Sequence, residues 1–358
     1  MFETLPTPTI LVDLDKLTAN IARMQRACDD GGVQLWPHIK THKTVEIARM
    51  QLIAGAKGLT CAKTGEAEAL LPSGVRRVFI AHSLVDPLQG PRLRVLAESL
   101  DELILAVTSE GQAEALEKVL ATVDLHLPVM MAVDTGLGRE GLRDTNSAAR
   151  LAQRLDQLPH LTLKGIYSHE GHTYASTPTE SDTLIQDVHT RLLAFRDAID
   201  PALPLWPGCS VSAARMAKLP GVNVVRPGSY VFGDLSLASR HALMDWSNLA
   251  LTVLATVVDR PDNDLALLDA GSKTFSSDKT AEGIGGSFYD QRDIHVSKCS
   301  EEHGWVTGSD VAGLRIGERV RVVPAHVCPV VNLTDTLTII RAGVVVDQWR
   351  VAARGRVQ

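Results

Sequence analysis

The chain has 358 residues, of which 45% are hydrophobic and 22% charged, and its net charge is −6. This balance excludes the basic surface of a nucleic-acid-binding protein, and no segment approaches the ~20 apolar residues that cross a bilayer. The five cysteines form no CxxC pair and the N-terminus lacks a signal-peptide pattern, so we expect a cytoplasmic protein that acts on small molecules.

Residues 1–240 alternate short apolar runs with helical patterns, such as the spacing of Leu17, Ile21 and Met24. Strands that alternate with helices form parallel sheets, so eight units predict a closed (β/α)₈ TIM barrel, with an open doubly wound sheet as the alternative. No GxGxxG motif follows the first strand, which argues against a dinucleotide-binding fold. The predicted strands are Val33–Pro37, Gly58–Cys61, Arg77–Ala81, Leu103–Val107, Pro128–Val133, Leu163–Tyr167, Leu205–Cys209 and Val222–Arg226.

The pattern changes after about residue 240, and residues 241–358 are predicted to form a mainly β C-terminal domain. β-Branched residues are frequent there, and no long helical period separates the apolar runs. The Gly-, Ser- and Asp-rich stretch Ala270–Gln291 is predicted to be a long loop, of the kind that is often functional. The predicted strands are Trp246–Val258, Leu265–Leu268, Val320–Val323 and Leu337–Val346.

Polar and titratable residues follow nearly every predicted barrel strand. Lys40 follows the first strand, Arg139 the fifth and His172 the sixth. Because parallel barrels carry their active sites at the carboxyl ends of the strands, this distribution predicts an enzyme.

Lys40 lies among His38, His42 and Lys43. A lysine just past a strand is most often a solvated loop residue. Neighbouring cations and partial burial would instead lower the pKa of the Lys40 amine and allow it to form an imine, as pyridoxal phosphate (PLP) requires.

Two Gly-Ser turns, Gly208–Ser212 and Gly228–Tyr230, follow the last two barrel strands. Barrels commonly bind phosphate there through backbone N–H groups, although each turn by itself is also ordinary turn chemistry. His169 and His172 do not have HExxH spacing, so a metalloprotease is excluded. They are either a source of acid and base or a structural pair.

His326 and Cys328 are two residues apart, and in an extended segment they would lie on one face. Imidazole and thiolate suit Zn²⁺ better than Mg²⁺ or Ca²⁺. Two protein ligands would leave positions open for water or substrate. The alternative is a buried cysteine beside a surface histidine.

Ordered motifs along almost the whole chain resemble the D-threonine aldolase/D-serine dehydratase family, whose barrel is similar to that of fold-type III PLP enzymes such as alanine racemase. The motifs are Thr7-Pro8, Leu11–Leu14, Pro37–Lys43, Asp134–Gly136, Arg139, His169–Tyr174, Arg226–Tyr230, Asp269–Gly271, Ser300–Gly304 and His326–Pro329.

The resemblance implies a role for each matching residue. Lys40 would form the Schiff base with PLP, Arg139 would lie near the cofactor ring and His172 would assist catalysis. His326 and Cys328 would bind a divalent metal, Zn²⁺ or alternatively Mn²⁺ or Co²⁺, near the substrate β-hydroxyl. The other residues expected at the cofactor are His38, Tyr167, Ser210, Gly228, Ser229 and Tyr230.

The resemblance also implies a homodimer and a D-3-hydroxy amino acid as substrate. Aldolases of the family typically carry His-X-Asp at the metal pair, whereas the dehydratases carry His-X-Cys, as this chain does. We therefore expect β-elimination to a 2-oxo acid and ammonia, with cleavage to glycine and an aldehyde as the alternative. An amino-acid racemase is disfavoured by the metal pair, and a non-catalytic PLP carrier by the extra β domain.

Overall fold

The computed structural model describes residues 2–358, which form two compact units. The barrel unit comprises Arg23–Lys40, Val45–Gly228 and Arg356–Gln358. The sheet unit comprises the N-terminal residues up to Ala22, together with Thr41–Thr44 and Ser229–Gly355. Among the helices of residues 2–358, none has the length and apolar character needed to span a membrane.

The strands within residues 2–358 are β1 Thr9–Asp13, β2 Gln34–Leu35, β3 Leu59–Cys61, β4 Arg77–Ser83, β5 Glu102–Val107, β6 Leu127–Val133, β7 Leu161–Ser168, β8 Leu205–Trp206, β9 Val224–Val225, β10 Leu251–Asp262, β11 Leu265–Leu268, β12 Gly286–Phe288, β13 Ile294–Cys299, β14 Gly304–Gly308, β15 Arg319–Pro324, β16 Thr336–Arg341 and β17 Val344–Arg350. The α-helices in the same range are α1 Leu14–Gly31, α2 Val45–Ala54, α3 Thr64–Leu70, α4 Gly90–Ser99, α5 Glu110–Ala121, α6 Thr145–Leu155, α7 Pro178–Asp197, α8 Ala213–Met216, α9 Ser272–Phe275 and α10 Val327–Asn332.

The eight predicted barrel strands are confirmed as β2–β9. Strands β3–β8 form one parallel sheet in chain order, and β2 pairs in parallel with β9. Single parallel bridges, His38 to Thr60 and Leu205 to Val222, connect these two sheets and close the circuit. The fold is therefore an alanine racemase-like parallel barrel accompanied by a β unit.

Three of the connecting helices begin at polar side-chain caps. Ser109 caps α5 and Asp144 caps α6 through side-chain oxygens that accept backbone N–H groups. Thr177 and Glu180 form a reciprocal capping box at the start of α7.

Aromatic side chains fill the centre of the barrel. The ring centroids of Trp36 and Trp206 are 4.7 Å apart, and Phe79 packs edge-on against Tyr167 at 5.0 Å. The barrel interior is therefore a packed core, which leaves the strand ends as the place for chemistry.

The sheet unit contains a nine-stranded sheet in the order β11-β14-β13-β12-β15-β10-β1-β16-β17. Strand β1 pairs antiparallel with β10 and parallel with β16, and its residues Leu11 and Val12 are fully buried. Strand β1 was not predicted from the sequence, because its partners are more than two hundred residues away along the chain.

Two local predictions for this unit were wrong. Leu337–Val346 is two strands, because Ala342 and Gly343 adopt φ of 48° and 78° and form a tight hairpin turn between β16 and β17. The predicted loop Ala270–Gln291 contains the helix α9 and the strand β12, which pairs with β13 and β15.

Candidate active site

Positive charge collects at the carboxyl ends of the barrel strands. Burial lowers the pKa of His169 well below its usual value, and the nearby charges of Lys40, Arg226 and Arg139 lower it further. The structure thus brings Lys40 and Arg139 together with the His169–His172 segment, as the sequence predicted for one rim. A neutral imidazole among cations is suited to an anionic ligand.

The buried polar atoms without a hydrogen-bond partner at this rim include the Oη of Tyr167 and the Nδ1 of His172. Burial also raises the pKa of Tyr167, so its hydroxyl stays protonated. The ring of His172 fits here because Gly136 has no side chain; a Cβ on Gly136 would lie 3.1 Å from His172 Nε2. Native proteins rarely leave buried polar atoms unsatisfied, so both atoms fit a site completed by a bound group.

Arg226 and Glu170 are buried rim residues to which sequence analysis assigned no role. Arg226 donates to the carbonyl oxygens of Trp206, at 3.2 Å, and of Ser168, and its Cζ lies 5.1 Å from the centre of the Tyr167 ring. Burial lowers the pKa of Arg226, and the negative charge of Glu170 opposes that shift. Both residues stood within matched motifs, but only their burial marks them as part of the site.

Asp134 organises the loop that carries Arg139. Its Oδ1 accepts the backbone N–H groups of Gly136 and Gly138, both at 3.0 Å, and its Oδ2 accepts from Arg143 at 3.2 Å. Burial raises the pKa of the Asp134 carboxyl, but the two backbone N–H groups and Arg143 outweigh burial and lower it overall. The side chain of Arg139 is 56% exposed and pairs with Glu140 at 3.3 Å.

The two predicted phosphate turns meet within the barrel unit, where the N–H of Gly228 donates to Ser210 Oγ at 3.1 Å. His38 lies next to them, because its backbone N–H donates to the carbonyl oxygen of Pro227 at 2.8 Å. Ser229 and Tyr230 are buried and begin a short 3₁₀ turn in the sheet unit. The structure therefore joins Ser210, Gly228 and the His38 backbone into one cluster.

The predicted metal pair lies in the sheet unit, but not on a strand. His326 is the extended residue that precedes α10, and Cys328 lies in the first turn of that helix. The predicted extended segment was therefore wrong, yet the two side chains still meet as expected, since they share a hydrogen bond. The turn into the helix replaces the strand geometry that sequence analysis assumed.

Negative groups surround the imidazole of His326. Its Nδ1 lies 2.7 Å from Asp278 Oδ2, and the buried Asp234 acts on it through its charge. Burial lowers the pKa of His326, but the hydrogen bond and charge of Cys328, with Asp234 and Asp278, raise it to about 10. Such surroundings favour a positive charge at the His326 ring. Either a proton or a bound divalent ion can supply that charge.

Among residues 2–358, no third His, Cys, Asp or Glu forms a group with His326 and Cys328 in which all ligand atoms lie within 4.8 Å of one another. An ion on this pair would therefore keep coordination positions for small molecules, as catalytic sites require.

The segment that follows Lys40 contacts the helix of the metal pair. Thr41 Oγ1 lies 3.1 Å from Cys328 Sγ, and Lys43 Nζ donates to Asn332 Oδ1 at 2.8 Å. Both contacts lie within the sheet unit, and both reach the same face of α10. The contact between Thr41 and Cys328 was not predicted from the sequence, because the two residues are 287 positions apart.

Comparison with protein families gives two matches in series. Residues 12–236 match the N-terminal domain of alanine racemase, and residues 250–340 match a putative serine dehydratase domain. The first match alone covers more than half of the chain.

Full-length relatives have similar sequences. A D-threonine aldolase of Arthrobacter sp is 30% identical over 360 residues, 98% of this chain and 93% of the relative. A D-threo-3-hydroxyaspartate dehydratase of Delftia sp. (strain HT23) is 31% identical over 351 residues, 91% of each chain. The solved structure of a D-threo-3-hydroxyaspartate dehydratase mutant in the metal-free form superposes with a TM-score of 0.85 at 28% identity, covering 97% of both chains.

These matches agree with the parallel barrel, the lysine at its rim and the separate β unit. The chain belongs to the D-threonine aldolase/D-serine dehydratase family of fold-type III PLP-dependent lyases, which act on D-3-hydroxy amino acids.

Proposed function

We propose that this protein is a PLP- and divalent-metal-dependent lyase that converts a D-3-hydroxy amino acid to a 2-oxo acid and ammonia by D-serine dehydratase-like β-elimination. The observation that carries the proposal is the pairing of Cys328 with His326 at the start of α10. The thiolate is the ligand typical of the dehydratases in this family. Thr41, which contacts this sulfur, directly follows the proposed cofactor lysine.

Lys40 would hold the cofactor, with His38, Arg139, Tyr167, Ser210, Gly228, Ser229 and Tyr230 as further contacts. The cations around His169 match the negative charge of the phosphate, and the unpartnered Oη of Tyr167 offers a donor. Bound PLP supplies an electron sink that stabilises negative charge at the α-carbon of an attached amino acid.

The side chains of the chain would then move the protons. The Lys40 amine would act as the base that removes the α-proton of the substrate. His172, with its buried and unpartnered Nδ1, gives a proton to the leaving hydroxyl. His326 and Cys328 would hold Zn²⁺, or Mn²⁺ or Co²⁺, and such an ion would supply Lewis-acid polarisation of the β-hydroxyl.

The second candidate is a D-threonine aldolase-like cleavage to glycine and an aldehyde, which the name of the Arthrobacter relative supports. The same groups serve both reactions. His172 would accept the proton of the β-hydroxyl in the aldolase, whereas in the dehydratase it would donate one.

We further propose that the protein is a cytoplasmic homodimer. Sedimentation velocity of the purified protein would measure its oligomeric state.

The test is product analysis after addition of PLP and Zn²⁺. The protein is incubated with D-serine, D-threonine and D-3-hydroxyaspartate, and 2-oxo acid, ammonia, glycine and aldehyde are quantified. We expect 2-oxo acid and ammonia in equal amounts. Glycine with an aldehyde would establish the aldolase instead, and a change of configuration alone would indicate a racemase. The absence of any product would contradict the lyase proposal.

The Lys40→Ala variant tests the cofactor lysine separately. We expect loss of the absorbance of lysine-bound PLP and a fall in turnover of at least 10³-fold, in the range expected when a nucleophile is removed. Lys57→Ala, at an exposed lysine of the same unit, is the matched control and should keep the absorbance of lysine-bound PLP and the turnover of the parent. Normal turnover in Lys40→Ala would refute the assignment.

A further inference from the structure

We propose that the protein has a second divalent-metal site, formed by Asp124, His126 and His160 at the amino ends of β6 and β7. One ligand atom from each residue lies within 4.8 Å of the other two. Asp124 and His126 belong to the connection between α5 and β6, and His160 ends the connection between α6 and β7. The site is at the opposite ends of these strands from the catalytic rim, so the proposed lyase chemistry does not use it.

His160 is already oriented as a metal ligand. Its Nδ1 lies 2.6 Å from Glu117 Oε1, and its backbone N–H donates to Glu117 Oε2 at 3.1 Å. With Nδ1 donating to the carboxylate, the lone pair of the neutral ring is on Nε2, which lies 3.9 Å from Asp124 Oδ1. A carboxylate behind an imidazole in this way fixes its tautomer and raises its basicity toward a metal.

His126 supplies a second imidazole beside the first. The two ring centroids are 4.7 Å apart and the rings are tilted by 32°. The backbone N–H of Leu127 donates to the carbonyl oxygen of His160 at 2.9 Å, so the positions of the two connections are fixed relative to each other. Two imidazoles and one carboxylate suit Zn²⁺, Ni²⁺ or Cu²⁺ better than Mg²⁺ or Ca²⁺.

Only a small movement is needed to bind an ion. Tetrahedral Zn²⁺ with bonds of about 2.0–2.2 Å places its ligands about 3.3–3.5 Å apart, so no two ligand atoms need to approach by more than about 1.5 Å. The side chain of Asp124 is 87% exposed and can rotate without displacing packed neighbours. A bound ion would join the two connections and raise the melting temperature of the folded protein.

The test measures zinc binding to the PLP-loaded protein after removal of bound metal. Equilibrium dialysis against Zn²⁺ alone, followed by elemental analysis, gives zinc per chain. We expect the parent to bind one more zinc ion per chain than the His126→Asn/His160→Asn variant. Zinc should also raise the melting temperature of the parent more than that of the variant. Glu117→Gln, which removes no ligand, should weaken this zinc 10- to 100-fold. Asp156→Asn, at an exposed carboxylate of the α6–β7 connection, is the control and should bind as the parent does.

Cobalt distinguishes this site from the His326–Cys328 pair. Co²⁺ bound by nitrogen and oxygen ligands shows visible absorption bands but lacks the near-ultraviolet band of a cobalt–thiolate bond. The Cys328→Ser variant should therefore lose the thiolate band and keep the cobalt bound at Asp124, His126 and His160. The single variant His126→Asn, at an exposed side chain, guards against misfolding of the double variant. Equal zinc stoichiometry and affinity in the parent and in both histidine variants would overturn the proposal, whatever the lyase assay gives.

Discussion

Some polar side chains of the active site are buried without hydrogen-bond partners, which costs free energy when no ligand is bound. Leaving a buried donor or acceptor unpaired costs about 1–3 kcal/mol, and Tyr167 Oη and His172 Nδ1 are both in this condition. Arg226 is buried nearby, and its charge is opposed by Glu170, whose carboxylate accepts from Ser212 Oγ at 2.5 Å. The geometry of individual side chains thus favours the bound state of the site.

Thr41 is the residue whose effect on the metal pair can be tested most directly. Its hydroxyl lies 3.1 Å from Cys328 Sγ. Thr41→Val keeps the shape of the side chain and removes this hydroxyl, so we expect about 10-fold weaker zinc binding at the pair, as for other groups that contact metal ligands. Competition with a chromophoric chelator measures that affinity.

Thr41→Ser restores a hydroxyl and is the matched control, with an expected affinity close to that of the parent. If Thr41→Val and Thr41→Ser bind zinc equally, the contact has no influence on the metal pair.

Short elements, rather than the long helices, carry the reactive groups. Helix α10 places Cys328 in its first turn, and Asp234 from another segment accepts the backbone N–H of Val327 there. Asp234 therefore caps α10 and also acts on His326 through its charge. The loop after β6 depends in the same way on Asp134, which accepts two backbone N–H groups.

The loop after β6 should make stability depend on acid pH. The pKa of Asp134 is lowered in the folded state, so its carboxylate stabilises the fold above the ordinary Asp range near 4, and this is lost as pH falls through the lowered value. Asp134→Asn should lower the free energy of unfolding by about 1–2 kcal/mol at pH 7. Urea unfolding at pH 7 and at an acid pH below the ordinary Asp range measures the free energy of unfolding of the parent and of Asp134→Asn.

The parent should lose more stability on acidification than Asp134→Asn does, because only the parent has this carboxylate to protonate. A difference between the two proteins that stays constant with pH would contradict this account of the loop.

At the scale of the whole molecule, the proposed cofactor and metal residues fall in different units. The residues that would hold PLP are mostly in the barrel unit, whereas His326 and Cys328 are in the sheet unit. One of the places where the chain passes from one unit to the other is between Lys40 and Thr41. Cofactor binding and metal binding should therefore be separable.

Removal of the metal with a chelator is the corresponding prediction. We expect turnover to fall at least 100-fold while the absorbance of bound PLP is unchanged, and Zn²⁺, Mn²⁺ or Co²⁺ should restore turnover. Elemental analysis verifies that the metal is gone. Full activity in the verified metal-free protein would make His326 and Cys328 a structural pair.

The sequence by itself determined the eight barrel strands and the concentration of Lys40, Arg139 and His172 at one rim. These features follow from local patterns, since apolar runs of strand length and the polar residues after them need no distant partner to be recognised. Ordered motifs likewise identified the family before any contact was known.

Only the tertiary structure decided which distant residues meet. It placed β1 between β10 and β16 in the nine-stranded sheet, brought Thr41 to Cys328, and buried Arg226 and Glu170 at the rim. It also placed Cys328 in a helix, whereas an extended segment was expected from the sequence. Each outcome depends on pairing or burial between segments far apart in the chain, and such non-local energies leave no periodic signal in the local sequence.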